Sequence, residues 1–225
     1  MPRIIDVLLS LLALLVLLPL FIPIVIILLL TGEHKVFYLQ TRVGYKNKNF
    51  KIIKFATMLS NSANMGSGSL TLRNDPRVLP FGTFLRKTKI NELPQILNII
   101  IGDLSIVGPR PQMQVDFVKY SQEVQKKIYN VRPGLTGIGS IVFRNEEAIF
   151  ENVSDPCLWD EKVIMPYKGK LERWYSDNMS LNMYIKLIML TSITLAFPRQ
   201  ENYQKWFKSL PLPEENLNHK IREYL

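Results

Sequence analysis

The chain has 225 residues, a formal net charge of +9, 47% hydrophobic residues, one cysteine (Cys157) and two histidines, His34 and His219. That length and apolar content fit one domain with appendages and exclude a disordered chain. A lone cysteine excludes an internal disulfide, and two distant histidines exclude a His/Cys metal cluster, so any metal is a hard cation on oxygen ligands. The basic balance calls for an anionic partner: nucleic acid, an anionic membrane surface or a phosphorylated substrate.

From Val7 to Leu30 no residue is charged. At about 1.5 Å per residue a straight helix over this run crosses a hydrocarbon core of roughly 30 Å. It is too long for a signal peptide, and no small-x-small cleavage site follows. Pro19 and Pro23 each remove an amide donor and clash with the preceding turn. The run therefore either spans with a kink or breaks and returns to the face it left. Taken alone the residues favour the kinked span, because proline is tolerated in membrane helices. The basic flank Lys35, Arg42, Lys46, Lys48, Lys51 and Lys54 is then cytosolic.

The stretch "KVFYLQTRVGYKNKNFKIIKF" predicts a β-hairpin turning near Lys46–Asn49. "SNSANMGSGSLTLRNDPRV" reads as a mobile surface loop with a plain linker at "GSGS" and a turn at Asn74-Asp75-Pro76. Helices are predicted at Leu93–Ile101, Gln112–Val131, Ser176–Phe197 and Tyr203–Lys208. "NMYIKLIMLTSITLAF" is too short to span and fits a core or an interfacial helix. Trp159, Trp174 and Trp206 suit either a headgroup boundary or a core. From Pro198 the chain reads as an appended, partly mobile extension. There is no G-x-x-x-x-G-K-[ST] loop, and Gly134, Gly137 and Gly139 of "PGLTGIG" have the wrong order for a dinucleotide loop.

"KTKINELPQILNIIIGDLSIVGPRP", Lys87 to Pro111, supports two readings. In the first, Asn91 caps a helix, Glu92 and Pro94 occupy its first turn and Gly102 closes it. In the second, the same helix start is an anion site with Arg86 and Lys87 upstream. Arg110, locked between Pro109 and Pro111, then aims a guanidinium at phosphate.

"RNDPRVLPFGTFLRKTKINELPQILNIIIGDLSIVGPRP", "VRPGLTGIG" and "RN" at Arg144–Asn145 together resemble the bacterial sugar transferase family, the monotopic phosphoglycosyl transferases, over roughly Met1 to Phe197. The resemblance implies transfer of sugar-1-phosphate from a UDP-sugar to polyprenyl (undecaprenyl) phosphate with release of UMP and a need for Mg²⁺. It implies the first membrane step of exopolysaccharide or lipopolysaccharide assembly, at the cytosolic face of the bacterial inner membrane. The implied fold is α+β and α-rich, with residues 1–32 a re-entrant membrane helix broken at Pro19 or Pro23, which reverses the preference above. Residues 33–197 form the cytosolic-face domain, with a small β-hairpin and interfacial amphipathic helices, and 198–225 a C-terminal extension. Nucleic acid is excluded as a partner, since it explains neither the membrane run nor "VGPRP"; a homodimer stays open.

By position, Lys54 matches the basic residue of the "KF.TM" segment, Arg86 the arginine before the acidic dyad and Glu92 the dyad glutamate, a metal ligand. Arg110 matches the substrate-phosphate arginine, and Arg132 and Arg144 match basic positions near the nucleotide-sugar. Two positions depart from the family pattern: Ala56 stands for an arginine, and Asn91 for the aspartate that serves as nucleophile and Mg²⁺ ligand. An amide is a weak nucleophile and a weak Mg²⁺ ligand. Four readings stay open: Glu92 as nucleophile, direct attack by the acceptor phosphate, a catalytically silent binding scaffold, or an engineered trap at Asn91. "NELPQ" with "KFA" resembles a natural subgroup of the family.

Overall fold

The computed structural model describes residues 3–66, 68, 70–197 and 203–224. The apolar N-terminal run forms one helix, α1 (Arg3–Leu30), continuous through Pro19 and Pro23. Both of its ends are fastened to the rest of the chain. At the start, Arg3 donates to the carbonyls of Ile100 (2.9 Å) and Leu104 (3.4 Å). Asp6, 2% exposed, accepts from Ser105 Oγ (2.8 Å), Ile106 N–H (3.0 Å) and Tyr184 OH (2.6 Å). Toward the other end, Ile24 and Leu28 are buried with Phe55 and Leu85. Between these anchors Leu12, Leu15, Val16 and Leu18 are more than half exposed, so the apolar middle is largely uncovered.

The predicted hairpin forms as β1 (Phe37–Val43) and β2 (Asn49–Phe55), antiparallel, with Lys46 and Asn47 in the left-handed region at its turn. Cross-strand partners share a face, which puts Gln40, Arg42 and Lys54 on one side of the ribbon. The following segment is tied down, against the expectation of a free linker. Arg77, 3% exposed, pairs with Asp75 and donates to the carbonyls of Ser62, Met65, Gly68 and Leu70 at 2.6–2.8 Å. Ser67 and Ser69 of "GSGS" lie outside the described residues.

Helix α2 (Pro80–Lys87) opens on its proline. Asn91 does not cap the next helix. Lys89 takes φ 60°, a 3₁₀ turn follows over Ile90–Glu92, and α3 (Gln95–Ile101) begins behind Pro94 with no side-chain cap. The turn spends Asn91 inside itself, too early to meet the free amides of α3. Gly102, φ 112°, closes α3 as expected.

Two three-residue strands, β3 (Ser105–Val107) and β4 (Gly134–Thr136), pair in parallel. The predicted Gln112–Val131 helix is split into α4 (Gln114–Phe117) and α5 (Gln122–Lys127), because Ser121 turns its hydroxyl onto the Val124 N–H and starts a new helix. Then come α6 (Ile138–Val142), α7 (Glu146–Ile149), α8 (Pro156–Trp159), a π-turn at Asp160–Ile164 and α9 (Met165–Asp177). Ser180 caps α10 (Leu181–Ala196), so the predicted Ser176–Phe197 helix starts five residues late, and its first two residues belong to α9. Its inner face buries Tyr184, Leu187 and Leu190, while Leu181, Ile185, Met189 and Leu195 are about half exposed.

The main core lies between α6, α9 and α10, around Ile138, Val142, Leu171 and Leu187. The described part of the C-terminal segment, residues 203–224, belongs to it, against the expectation of a loose extension. Helices α11 (Tyr203–Trp206) and α12 (Glu215–Tyr224) and the chain between them bury Tyr203, Phe207, Leu210, Leu217 and Ile221 there. At about 1.5–3 kcal/mol per buried large apolar side chain, these residues together contribute on the order of 10 kcal/mol. Trp174 lies in the same core, with Trp159 and Trp206 against it, which decides the tryptophans in favour of core packing.

Candidate active site

The glycines of "VGPRP" and "RPGLTG" let two backbones touch. A Cβ on Gly134 would stand 2.0 Å from the Gly108 nitrogen. In this close approach Gly108 N–H meets Thr136 O and Gly134 N–H meets Pro109 O, both at 2.9 Å. The segment that follows is held at successive atoms. Glu172 Oε1 accepts the Arg110 N–H (3.2 Å), Tyr129 OH donates to the Arg110 carbonyl (2.8 Å) and accepts the Gln112 N–H (2.9 Å), and Arg42 donates to the Pro111 carbonyl (3.2 Å). Arg110 therefore leaves a rigid stem.

Its guanidinium meets Glu92 Oε1 at 3.1 Å, and Lys54 Nζ reaches the same oxygen at 3.5 Å. Burial would raise the Glu92 carboxyl, but Arg110, Lys54 and Lys89 outweigh it and hold Glu92 well below the usual carboxylate range. Burial, partly offset by Glu92, and repulsion from Arg42, Arg110 and Arg86 bring the Lys54 ammonium down to about 7. Burial and Arg110 likewise push Arg42 down to about 10. A small cavity lined by Arg42, Lys54, Gln95 and Arg110 opens here. Three cations stand around one carboxylate, and the surplus positive charge suits an oxyanion such as phosphate.

Asn91, 6% exposed, sits beside Glu92 with Oδ1 buried and unpartnered. An unpaired buried carbonyl oxygen costs about 1–3 kcal/mol, which a ligand or cation would recover. Among the described residues no three His, Cys, Asp or Glu side chains stand close enough to hold a metal. The Glu92 carboxylate and the Asn91 oxygen nevertheless fit Mg²⁺, which is held by one or two protein oxygens when substrate phosphates and waters complete its shell.

The other sequence-predicted residues divide. Arg86 pairs with Glu147 of α7 (2.7 Å), touches Met58 Sδ (3.6 Å) and bears on Lys54, so it borders the site. Arg144 keeps a buried Nη1 without a partner, and burial lowers its guanidinium. Arg132 is engaged at the far end of α3, on the Gly102 carbonyl (3.0 Å) and over the Tyr45 ring, away from Glu92. Pro19 and Pro23, expected to break the apolar helix, do not: both lie within the continuous α1, as membrane helices tolerate proline. Sequence reasoning passed over Arg42, Gln95 and Glu172. For Arg42 a signal existed: β1 exposes Phe37 and Leu39 and turns Gln40 and Arg42 inward, an inverted alternation that marks a polar interior.

A family model for bacterial sugar transferases matches residues 1–198. The exopolysaccharide production protein ExoY of Sinorhizobium fredii is 38% identical over 155 residues, 63% of this chain and 68% of its own length. The sugar transferase EpsL of Bacillus subtilis, itself uncharacterized, is 35% identical over 156 residues, 69% of this chain and 67% of its own. The undecaprenyl-phosphate glucose phosphotransferase of Komagataeibacter xylinus is 33% identical over 202 residues, 88% of this chain but 36% of its own. Matched across nearly all of its core and carrying its phosphate-adapted cluster in the matched region, the chain belongs to the bacterial sugar transferase family.

Proposed function

We propose that this protein transfers sugar-1-phosphate from a UDP-sugar to undecaprenyl phosphate and releases UMP, opening the assembly of an exopolysaccharide or lipopolysaccharide. The observation that carries the reading is the cluster of Lys54, Arg42 and Arg110 around Glu92, a site with more positive than negative charge at a buried wall. The names of the relatives agree with it: one is an undecaprenyl-phosphate glucose phosphotransferase and another an N-acetylgalactosaminephosphotransferase acting on undecaprenyl phosphate.

The reaction is a direct displacement. An oxygen of the acceptor phosphate attacks the β-phosphorus of the donor, the bond from that phosphorus to the UMP oxygen breaks, and UMP leaves with the electron pair. Arg110, Lys54 and Arg42 neutralise the charge that builds on the transferring group. Asn91 cannot form a phosphoaspartate. Glu92, with its basicity lowered by two cations, is a poor nucleophile and serves as the counter-charge that keeps Lys54 and Arg110 aimed. Mg²⁺, held by Glu92 with Asn91 Oδ1, would supply Lewis-acid stabilisation of the phosphates.

The reading for the membrane rests on α1. Arg3 and Asp6 near its start and Ile24 and Leu28 near its end dock on the same body, which supports placing both ends on one face. The uncovered middle of this continuous helix lies in lipid at the cytosolic face without crossing it, and the exposed stripe Leu181, Ile185 and Met189 of α10 rests on the interface. An apolar cavity of about 220 Å³, lined by Leu28, Ala56, Met58, Leu79 and Phe81 at the end of α1, suits the head of the prenyl chain. Ala56, in place of the arginine of the family pattern, keeps its part of the wall apolar, while Glu33 and Lys35 also line the cavity.

The test is UMP release by the purified protein in lipid nanodiscs with undecaprenyl phosphate and UDP-glucose, UDP-galactose or UDP-N-acetylgalactosamine. The expected result is release that needs both substrates, sequential kinetics and no covalent adduct in intact-protein mass spectra. No release with any donor returns the protein to a binding scaffold, and an adduct on Glu92 replaces direct attack by covalent catalysis. For topology, cysteines at Pro2 and Lys35 in a Cys157→Ser background should react with an impermeant reagent from the same face. Reaction from opposite faces overturns this placement.

A further inference from the structure

Helix α9 lies in the main core, yet at position 172, between Leu171 and Trp174 of its buried face, it carries a carboxylate that is 2% exposed. Oε1 holds the Arg110 N–H at 3.2 Å; Oε2 is buried with no partner. A buried carboxyl with one oxygen unused is costly, and an apolar residue of similar volume would usually be tolerated or stabilising. The chain also reserves space for it: a Cβ on Gly139 would stand 2.3 Å from Glu172 Oε1, so α6 carries a glycine where the carboxyl passes. The stem it grips is the one that presents Arg110 to Glu92.

We infer that Glu172 is a positioning residue for the donor phosphates, acting through the Arg110 main chain to hold the guanidinium in the site. The inference rests on the phosphoglycosyl transfer proposed above. Glu172 touches no reacting atom. It anchors the N–H side of Arg110 while Tyr129 anchors the carbonyl side. The charged and titratable groups around it are the Arg110 guanidinium, Lys168, which is itself paired with Glu146, and the phenols of Tyr120, Tyr129 and Tyr175. Burial raises the carboxyl to about 7 against the pull of the Arg110 N–H, Arg110 and Lys168. Below that pH Glu172 is neutral and Arg110 is left to the donor; above it, a second negative charge competes for the same guanidinium.

The experiment measures UDP affinity by calorimetry, and turnover, for the full chain in nanodiscs. Glu172→Leu should weaken UDP binding about tenfold, the scale of one charge-linked contact, with KM rising more than kcat falls. Glu172→Gln, which keeps an oxygen for the Arg110 N–H, should bind UDP like wild type at pH 6 and lose less affinity than wild type between pH 6 and pH 8. In an Arg110→Ala background Glu172→Leu should add nothing, since the two act as one unit. Should the leucine variant fail to fold, Gly139→Ala, which crowds the carboxyl, should reproduce the loss in whatever fraction stays folded, with a lowered melting temperature. Losses that multiply in the double variant, or wild-type affinity in Glu172→Leu or in a folded Gly139→Ala, overturn the inference. A wild type that binds no UDP overturns instead the transfer reading beneath it.

Discussion

The Pro109–Gln112 stem and the Ile90–Glu92 turn meet across one ion pair but are built in opposite ways. In the stem, main-chain hydrogen bonds from β4, α9, Tyr129 and Arg42 fix the backbone before any ligand arrives. In the turn, Asn91 keeps a buried oxygen with no partner and Lys89 takes a left-handed conformation. One side is finished and the other is left open, so the stem presents a cation ready-made while the turn offers free valence to be completed by ligand.

Removing the charge that joins the two should have the largest effect. Glu92→Gln frees Lys54 and Arg110 from their counter-charge, and UMP release should fall by about 10²–10³-fold. Full turnover in that variant would separate the ion pair from the chemistry. Next comes the stem. Arg110→Ala should weaken UDP binding by about 1.5–3 kcal/mol with an unchanged circular dichroism spectrum, because the backbone is held without the guanidinium. A collapsed spectrum would mean that the side chain, and not the hydrogen bonds, shapes the stem. Third is the open turn. Asn91→Asp gives it a second carboxylate and should lower the Mg²⁺ concentration for half-maximal activity about tenfold; an unchanged requirement would remove Asn91 from the metal.

The smallest effect is on pH. Lys54, lowered to about 7, carries its full charge below that value and loses it above, and Glu172, raised to about 7, gains negative charge over the same range. Both changes drain positive potential as pH rises, so UDP affinity should fall several-fold between pH 6 and pH 8. Lys54→Arg keeps its charge and should retain more affinity than wild type at pH 8. Affinity that rises with pH would reverse the sign of the whole electrostatic account.

The apolar run, the hairpin and the Gly102 stop were legible because each has a local cause: composition, period and φ. Lys54, Glu92 and Arg110 were legible through a resemblance, and their convergence needed the fold. The strands β3 and β4 were not, since three residues carry no period. Glu172 could not be found either, for a glutamate in a helix reads as solvated until its neighbours are known. The C-terminal segment left a trace that composition hid: Tyr203, Phe207 and Leu210 follow i, i+4, i+7, as do Leu217 and Ile221 four apart, amid residues polar enough to suggest a loose tail.

The bond from Tyr184 to Asp6 joins residues 178 positions apart. At roughly 5–20 residues per second, a ribosome needs about 10–35 s to travel that far. Helix α1 is thus made long before Tyr184, and its Asp6 meets Ser105 and Ile106 first. The order of synthesis makes the Tyr184 bond the last of the Asp6 contacts to close. A chain halted before Tyr184 would keep the Arg3, Ser105 and Ile106 contacts and lack only this last one.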